Sequence, residues 1–387
     1  MARIGKNTLS SYIFSLGIFC LLVVFTSCQK DEIPLPKNRG YIYFGLVVPR
    51  SGPLVKNGEA IVRGAELAVE AINKTGGIKT RPVKLLIRDE MEYKTDPSFG
   101  GLAKDPRVTI TIGHLLERAF EPARVLYLQA EHPVLLPFLS GDDVSHSGSG
   151  LFFRLLSSDS DQAQVLAEYA RDSLKAGSYL VVHSQSEYSL KLARKFAEMA
   201  GVEQSAIVKL VEAPEETADV RGFMGIMKKM KPDIVFLAVN GRLAVSIAKF
   251  IAESKIKTTV MGTQVLGSAD VVSFLSRLSP SAYLSLPENK NKIDHDSEKF
   301  YENYLARYHL APNWLAVLAR DAVYLAREAV NRAGDRPEMV RNYLTGLDKA
   351  EKAFQGLSGS LYFAPEGRGI KPAAIVKVTP SLINNLP

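Results

Sequence analysis

The chain alternates between short apolar runs and longer segments whose apolar residues recur every three or four positions. Tyr41–Val48 reads as a first strand. Glu59–Asn73 follows as a helix, with Ile61, Ala65, Ala68 and Ile72 on one face and Gly76-Gly77 as its stop. Val83–Arg88, Val108–Ile112 and Val134–Phe138 read as further strands, with a helix over Pro122–Ala130. A second series begins near Ser158. Its helices are Asp161–Leu174, Leu190–Ala200, Val220–Met230 and Leu243–Ala252; its strands are Tyr179–His183, Ala206–Glu212, Ile234–Val239 and Thr258–Met261. Ala282–Leu286 is one more extended run. Three helices follow, Ser297–Tyr308, Leu315–Ala333 and Pro337–Leu347, and Ala373–Val378 closes the series as a strand. Strands that alternate with helices predict an α/β fold of parallel sheets flanked by helices, and the two series predict two similar lobes.

Composition adds bounds to this pattern. With 387 residues, 46% hydrophobic and 23% charged, the chain can bury a sizeable core. The net charge of +7 is spread along helices, so no focused patch suggests a nucleic-acid partner. The sequence carries no Gly-x-Ser-x-Gly elbow, His-Glu-x-x-His, Gly-x-x-x-x-Gly-Lys or Gly-x-Gly-x-x-Gly. Asp294-His295-Asp296 lies in a polar stretch and reads as solvated. No enzyme activity, cofactor or metal is therefore expected.

The N-terminus changes the expected compartment. Arg3 and Lys6 precede an apolar stretch, Ile13 to Phe25, that is too short for a comfortable membrane span. It ends in Phe25-Thr26-Ser27-Cys28, which resembles the bacterial lipobox, with Phe25 where leucine is usual. The resemblance implies cleavage before an acylated Cys28. The 48 bases would then fall by two, to 46 against 41 acids, a net of +5. Cys20, the one other cysteine, would leave with the signal peptide, so the folded part would carry neither disulfide nor cysteine nucleophile. Gln29 to Lys37 is polar and holds two prolines, as a tether does. Cys28-Gln29-Lys30-Asp31-Glu32 also resembles the acidic export signal of some surface lipoproteins, so the periplasm and the cell exterior both stay open.

Several segments, in order, resemble the leucine-binding-protein family of type I periplasmic binding proteins. They are Gly45 through Pro53, Gly58, Ala71 through Ile78, Ile112-Gly113-His114, Glu121-Pro122-Ala123, Glu187-Tyr188 and Pro232-Asp233-Ile234-Val235. The resemblance implies two Rossmann-like lobes joined by three hinge crossings, near Arg154–Ser157, Leu284–Pro287 and Ser360–Phe363. It divides the chain into a lipoprotein signal peptide (residues 1–27), a tether (28–40), an N-terminal lobe (41–155 plus 287–361) and a C-terminal lobe (156–286 plus 362–387). A ligand would sit in the cleft at the strand ends.

Carried over position by position, the family's ligand contacts fall on Ser51, Asn57, Glu117, Arg118, Leu139, Ser140, Gly141, Tyr188, Asn240 and Gln264. Ser51 and Tyr188 match. Asn57 and Asn240 stand where the family has aromatic residues. Glu117-Arg118 replaces a serine-rich run that binds a ligand carboxylate, and Gln264 replaces the acid that receives a ligand ammonium. Leu116 stands where the family often has a disulfide cysteine. A buried ammonium needs a carboxylate, which Glu117 or Asp142 would have to supply, whereas Arg118 could hold a carboxylate or phosphate. The resemblance thus implies a lipoprotein that captures a small polar solute (an amino acid, an amide or a small carboxylate) and delivers it to the membrane subunits of an ABC importer. A ligand sensor or surface lipoprotein on the same fold is the alternative.

Overall fold

The computed structural model describes residues 40–94, 101–145, 150–202, 205–213, 220–239, 241–254, 256–278, 281–286, 295–371 and 373–381. The first half builds β1 (Ile42–Val48), α1 (Val55–Lys74), β2 (Val83–Asp89), β3 (Val108–Gly113), α2 (Glu117–Gln129), β4 (Val134–Leu136) and β5 (Phe152–Arg154). These strands form a parallel five-stranded sheet in the order β2-β1-β3-β4-β5. Its inner strands are apolar on both faces, as a parallel sheet covered on both sides requires.

Next come α3 (Asp159–Glu168), β6 (Ser178–His183), α4 (Glu187–Ala200), β7 (Ile207–Glu212), α5 (Val220–Met230), β8 (Ile234–Ala238), α6 (Gly241–Ser254), β9 (Thr259–Thr263), α7 (Ala269–Leu275) and β10 (Ala282–Leu286). The chain then adds α8 (His295–Tyr308), α9 (Trp314–Ala333), α10 (Pro337–Thr345), β11 (Phe354–Gly356), β12 (Gly359–Phe363), β13 (Gly369–Ile370) and β14 (Ala374–Lys377). A second sheet runs β14-β10-β9-β8-β6-β7, parallel except for β14. The short strands β11, β12 and β13 make a small antiparallel sheet.

The chain passes between the two large sheets three times: after β5, after β10, and between β13 and β14. The third crossing thus falls after Ile370 and not near Ser360–Phe363, because Leu361 and Phe363 are buried in the core of the first sheet and β13 pairs with β12. The late helices return to the first sheet because their apolar faces fit there. Leu315, Leu318, Ala322 and Leu325 of α9, Val340 and Leu344 of α10, and Phe354, Leu361 and Phe363 share one core with Ile61, Ala65 and Ile72 of α1. Helices α1 and α9 pack backbone to backbone at Gly64, where an added Cβ would stand 2.2 Å from the Ala316 carbonyl oxygen. Helix α2 covers the other face through Ala119, Phe120, Ala123 and Tyr127. In the second sheet, α6 and α7 cover one face and α3 and α4 the other.

Two elements differ from the sequence reading. Helix α2 starts at Glu117, five residues before Pro122, so the proline lies inside it. The segment Asp161–Leu174 is α-helical only to Glu168; Tyr169–Ser173 is a π turn, closed by the Leu174 N–H on the Tyr169 carbonyl. Gly101–Lys104, between β2 and β3, is a single 3₁₀ turn.

Candidate functional site

The carboxyl ends of both parallel sheets meet in one place, the position at which open α/β sheets present their loops to ligands. The first sheet contributes the turn after β3 and the loop after β4. Glu90, directly after β2, is wholly buried, and its carboxylate accepts the N–H groups of Leu115 (3.0 Å) and Leu116 (2.9 Å). His114 Nδ1 lies 3.4 Å from the same carboxylate. This internal anchor fixes the start of α2 and so the exposed first residue of that helix, Glu117. Glu117 Oε1 occupies the space over Gly141, 2.0 Å from where a Cβ would stand. Glycine at 141 is what lets the carboxylate lie there.

The loop after β4 is held from below by Arg154. Its guanidinium, with no solvent exposure, donates from Nη1 to the Gly141 carbonyl at 2.5 Å and more weakly to that of Ser140 at 3.4 Å. Its Nε and Nη2 make no hydrogen bond among the described residues. Burial pushes its pKa down, and Asp142, Asp161 and Asp159 oppose that shift. The Ser140 carbonyl also accepts the Asp159 N–H at 3.0 Å, which ties the first sheet to the start of α3.

Asp159 is the first residue of α3, after a capping box in which Ser158 Oγ accepts the Asp161 N–H and the Asp161 side chain accepts the Ser158 N–H. Its side chain is 4% exposed. Oδ1 accepts the Tyr188 hydroxyl at 3.4 Å, and Oδ2 makes no hydrogen bond among the described residues. Burial pushes this carboxyl up to about 7; Asp142 and Glu117 push the same way, while the Ser140 hydroxyl and Arg154 oppose. Burial raises the Tyr188 phenol as well, and the Asp159 carboxylate adds to the effect.

The second sheet closes the site. Gln264, immediately after β9, donates from Nε2 to Ser140 Oγ at 3.0 Å, a bond that spans the two sheets. Its Oε1 is buried without a partner, as are Gln162 Oε1 on α3 and Ser285 Oγ on β10. Buried polar groups are ordinarily hydrogen-bonded. Gln264 Oε1 and Asp159 Oδ2, beside the bond that joins the two sheets, have no such partner among the described residues and are free to pair with a solute.

Of the residues carried over from the sequence, Glu117, Ser140, Gly141, Tyr188 and Gln264 come together. Ser51 is exposed and hydrogen-bonds the Asp89 carboxylate at the end of β2. Asn57 is half-buried in the first turn of α1, and Arg118 is exposed. The Leu139 side chain is buried in the core beside α2, so only its backbone can face the cleft. Asn240 and Cys28 lie outside the described residues. Sequence reasoning did not single out Asp159, Arg154 or Glu90 as site residues. The signal for Arg154 was a lone charge inside the apolar run Phe152–Leu156, and for Asp159 an acid directly after a capping serine.

The family model described as periplasmic binding protein matches residues 41–381. The chain belongs to that family. Among curated relatives, this periplasmic binding protein is 23% identical over 342 residues to the leucine-, isoleucine-, valine-, threonine- and alanine-binding protein of Pseudomonas aeruginosa, covering 84% of this chain and 86% of the relative. A branched-chain amino acid transporter substrate-binding protein from Streptococcus pneumoniae, solved in complex with isoleucine, superposes with a TM-score of 0.69 at 21% identity, over 87% of this chain and 99% of that one. An ABC-transporter solute-binding protein from R. palustris, solved with benzoate, gives a TM-score of 0.71 at 16% identity, over 88% and 94%. These likenesses establish the shared fold. No helix among the described residues is long and apolar enough to cross a membrane.

Proposed function

We propose that this protein captures a small polar solute between its two lobes, outside the cytoplasm, and delivers it to the membrane subunits of an ABC importer. The lobes are divided where the chain crosses between the two sheets, after β5, after β10 and between β13 and β14, and an acylated Cys28, after removal of residues 1–27, anchors them to the membrane. The observation that carries the reading is the meeting of the carboxyl ends of the two sheets, where Gln264 bonds Ser140 and the buried Asp159 and Gln264 side chains each keep an oxygen without a hydrogen bond among the described residues. Binding is non-covalent. The two lobes close over the solute, Gln264 and Ser140 approach each other, and the closed surface is what a membrane partner reads. Amino acids, amides and small carboxylates are the solute classes in view, in keeping with the ligands named for the relatives.

Thermal unfolding of the full-length chain in detergent, with solutes added singly, tests this. A ligand at about a hundred times its dissociation constant stabilises the folded state by about 2.7 kcal/mol, a shift of several degrees. The reading predicts such a shift for at least one class, and its loss in Asp159→Asn. A ligand whose shift survives intact in Asp159→Asn would place the binding elsewhere.

A further inference from the structure

A line of polar side chains crosses the apolar layer between the first sheet and α2. It starts at His132, in the loop ahead of β4, where Nε2 lies 3.0 Å from the Thr111 hydroxyl of β3. Thr111 is hydrogen-bonded in turn to the Tyr127 phenol of α2. The Tyr127 hydroxyl lies 3.2 Å from His114 Nε2, and His114 Nδ1 lies 3.4 Å from the Glu90 carboxylate. All five side chains are buried, with the rings of Phe120 and Phe152 against them.

The protons in this line have one consistent order. Glu90 takes amide N–H groups at both of its oxygens, so it is an acceptor towards His114 as well. A bare Nδ1 lone pair beside that carboxylate would be repelled, so Nδ1 carries the proton. In the neutral ring Nε2 is then the acceptor, and the Tyr127 hydroxyl donates to it. The Tyr127 oxygen accepts from the Thr111 hydroxyl, and the Thr111 oxygen accepts from His132 Nε2–H. Burial pushes the His132 imidazole down to about 4, which keeps that ring in the neutral form this order requires. Each hydroxyl gives one proton and takes one, so every donor points along the line towards Glu90.

An apolar filling would hold α2 on the sheet without fixing where the helix sits along its axis, because burial has no direction. Hydrogen bonds have a length and an angle, and a satisfied buried network rigidifies what it joins. This one ties α2, at Tyr127 near its C-terminal end, to the strand beneath it, and ends on the carboxylate that holds the turn ahead of the helix. We propose that Tyr127, Thr111 and His132 are positioning residues for the cleft: they orient His114 and Glu90, and so set the Leu115 and Leu116 amides and the seat of Glu117 over Gly141. The inference deepens the capture reading and rests on it for the purpose that the positioned turn serves.

The test is amide hydrogen exchange of the full-length chain in detergent, read by mass spectrometry. In Thr111→Val and in Tyr127→Phe the Leu115 and Leu116 amides should exchange at least about tenfold faster than in the parent. Peptides from β1 (Ile42–Val48) and β8 (Ile234–Ala238) should keep their rates. Thr111→Ser, which retains the hydroxyl, should restore the protection. Long-range proton–nitrogen NMR spectra of the parent, with isotope-labelled histidine and with His114→Gln and His132→Gln to assign the two rings, read the tautomers without any need for the other variants to fold. The proton is expected on Nδ1 of His114 and on Nε2 of His132. Unchanged exchange at Leu115 and Leu116 in both variants would overturn the proposal, as would the opposite tautomer on either ring. An equal loss of protection in β1 would assign these residues to the lobe's stability alone and overturn it too. Neither readout uses a solute, so failure of this proposal leaves capture standing, and a silent solute screen leaves this proposal standing.

Discussion

Gln264 Nε2 donates to Ser140 Oγ at 3.0 Å, and this bond joins the carboxyl edge of the second sheet to that of the first. A closed cleft brings them together; an open one parts them. A neutral hydrogen bond of this kind is worth about 0.5–1.5 kcal/mol. Gln264→Ala and Ser140→Ala should therefore each shift the unliganded protein towards a more open form, seen as a larger radius of gyration in solution scattering. Ser140→Ala also removes a hydroxyl that favours the charged form of Asp159, so it should weaken solute binding more than Gln264→Leu does.

Asp159 makes stability depend on pH in a defined direction. Its carboxyl titrates near 7 in the folded protein and near 3.9 in an unfolded chain. Between those values the folded state binds the extra proton, so this group's contribution to stability is present at low pH and lost as pH rises from about 4 to 7. Asp159→Asn imitates the protonated form. Without solute, it should match the parent in stability near pH 4 and exceed it at pH 8 by about 1–4 kcal/mol. Urea unfolding at the two pH values measures this, and a destabilised variant at pH 8 would contradict it.

Glu90 acts through the turn it anchors. Glu90→Ala removes a buried acceptor from the N–H groups of Leu115 and Leu116. Leaving them unpaired costs about 1–3 kcal/mol each. The same change frees the start of α2 and Glu117 with it, so solute affinity should fall alongside stability.

Gly141 and Gly64 separate binding from folding. At Gly141 an added methyl meets the end of the Glu117 side chain, which can swing aside, and stands 3.1 Å from Val144 Cγ2, a contact that a small shift relieves. Gly141→Ala should keep stability within about 1 kcal/mol while weakening solute binding. At Gly64 the added methyl meets the Ala316 backbone, which cannot swing aside. Gly64→Ala should destabilise by about 1–3 kcal/mol through overpacking of α1 on α9, with solute affinity unchanged in the molecules that remain folded.

The proposed acylation of Cys28 is checked by phase partitioning. The parent should partition into the detergent phase of a Triton X-114 extract of bacterial cells, and Cys28→Ser should leave that phase.

The architecture was largely legible because a parallel sheet announces itself. Runs such as Ile234–Ala238 are apolar on both faces, and helices such as α1 carry a single apolar stripe. What pattern alone did not reveal lacked that periodicity. Helix α7 spans only Ala269–Leu275, and β11 to β13 are strands of two to five residues. Pro122 looks in the sequence like a helix start, although α2 already begins at Glu117, which places Glu117 at the head of a helix and not in a loop. At the site, Ser140, Tyr188 and Gln264 were found by position. Asp159 was passed over because it looks like any acid in the first turn of a helix. Its distinction arises only when two sheets converge and exclude water from one of its oxygens.

Native mass spectrometry of the full-length protein and of Asp159→Asn, each released gently from bacterial envelopes, tests the central claim most directly. The account predicts one small molecule per parent chain and none on the variant. Equal occupancy of the two proteins by the same molecule would contradict it.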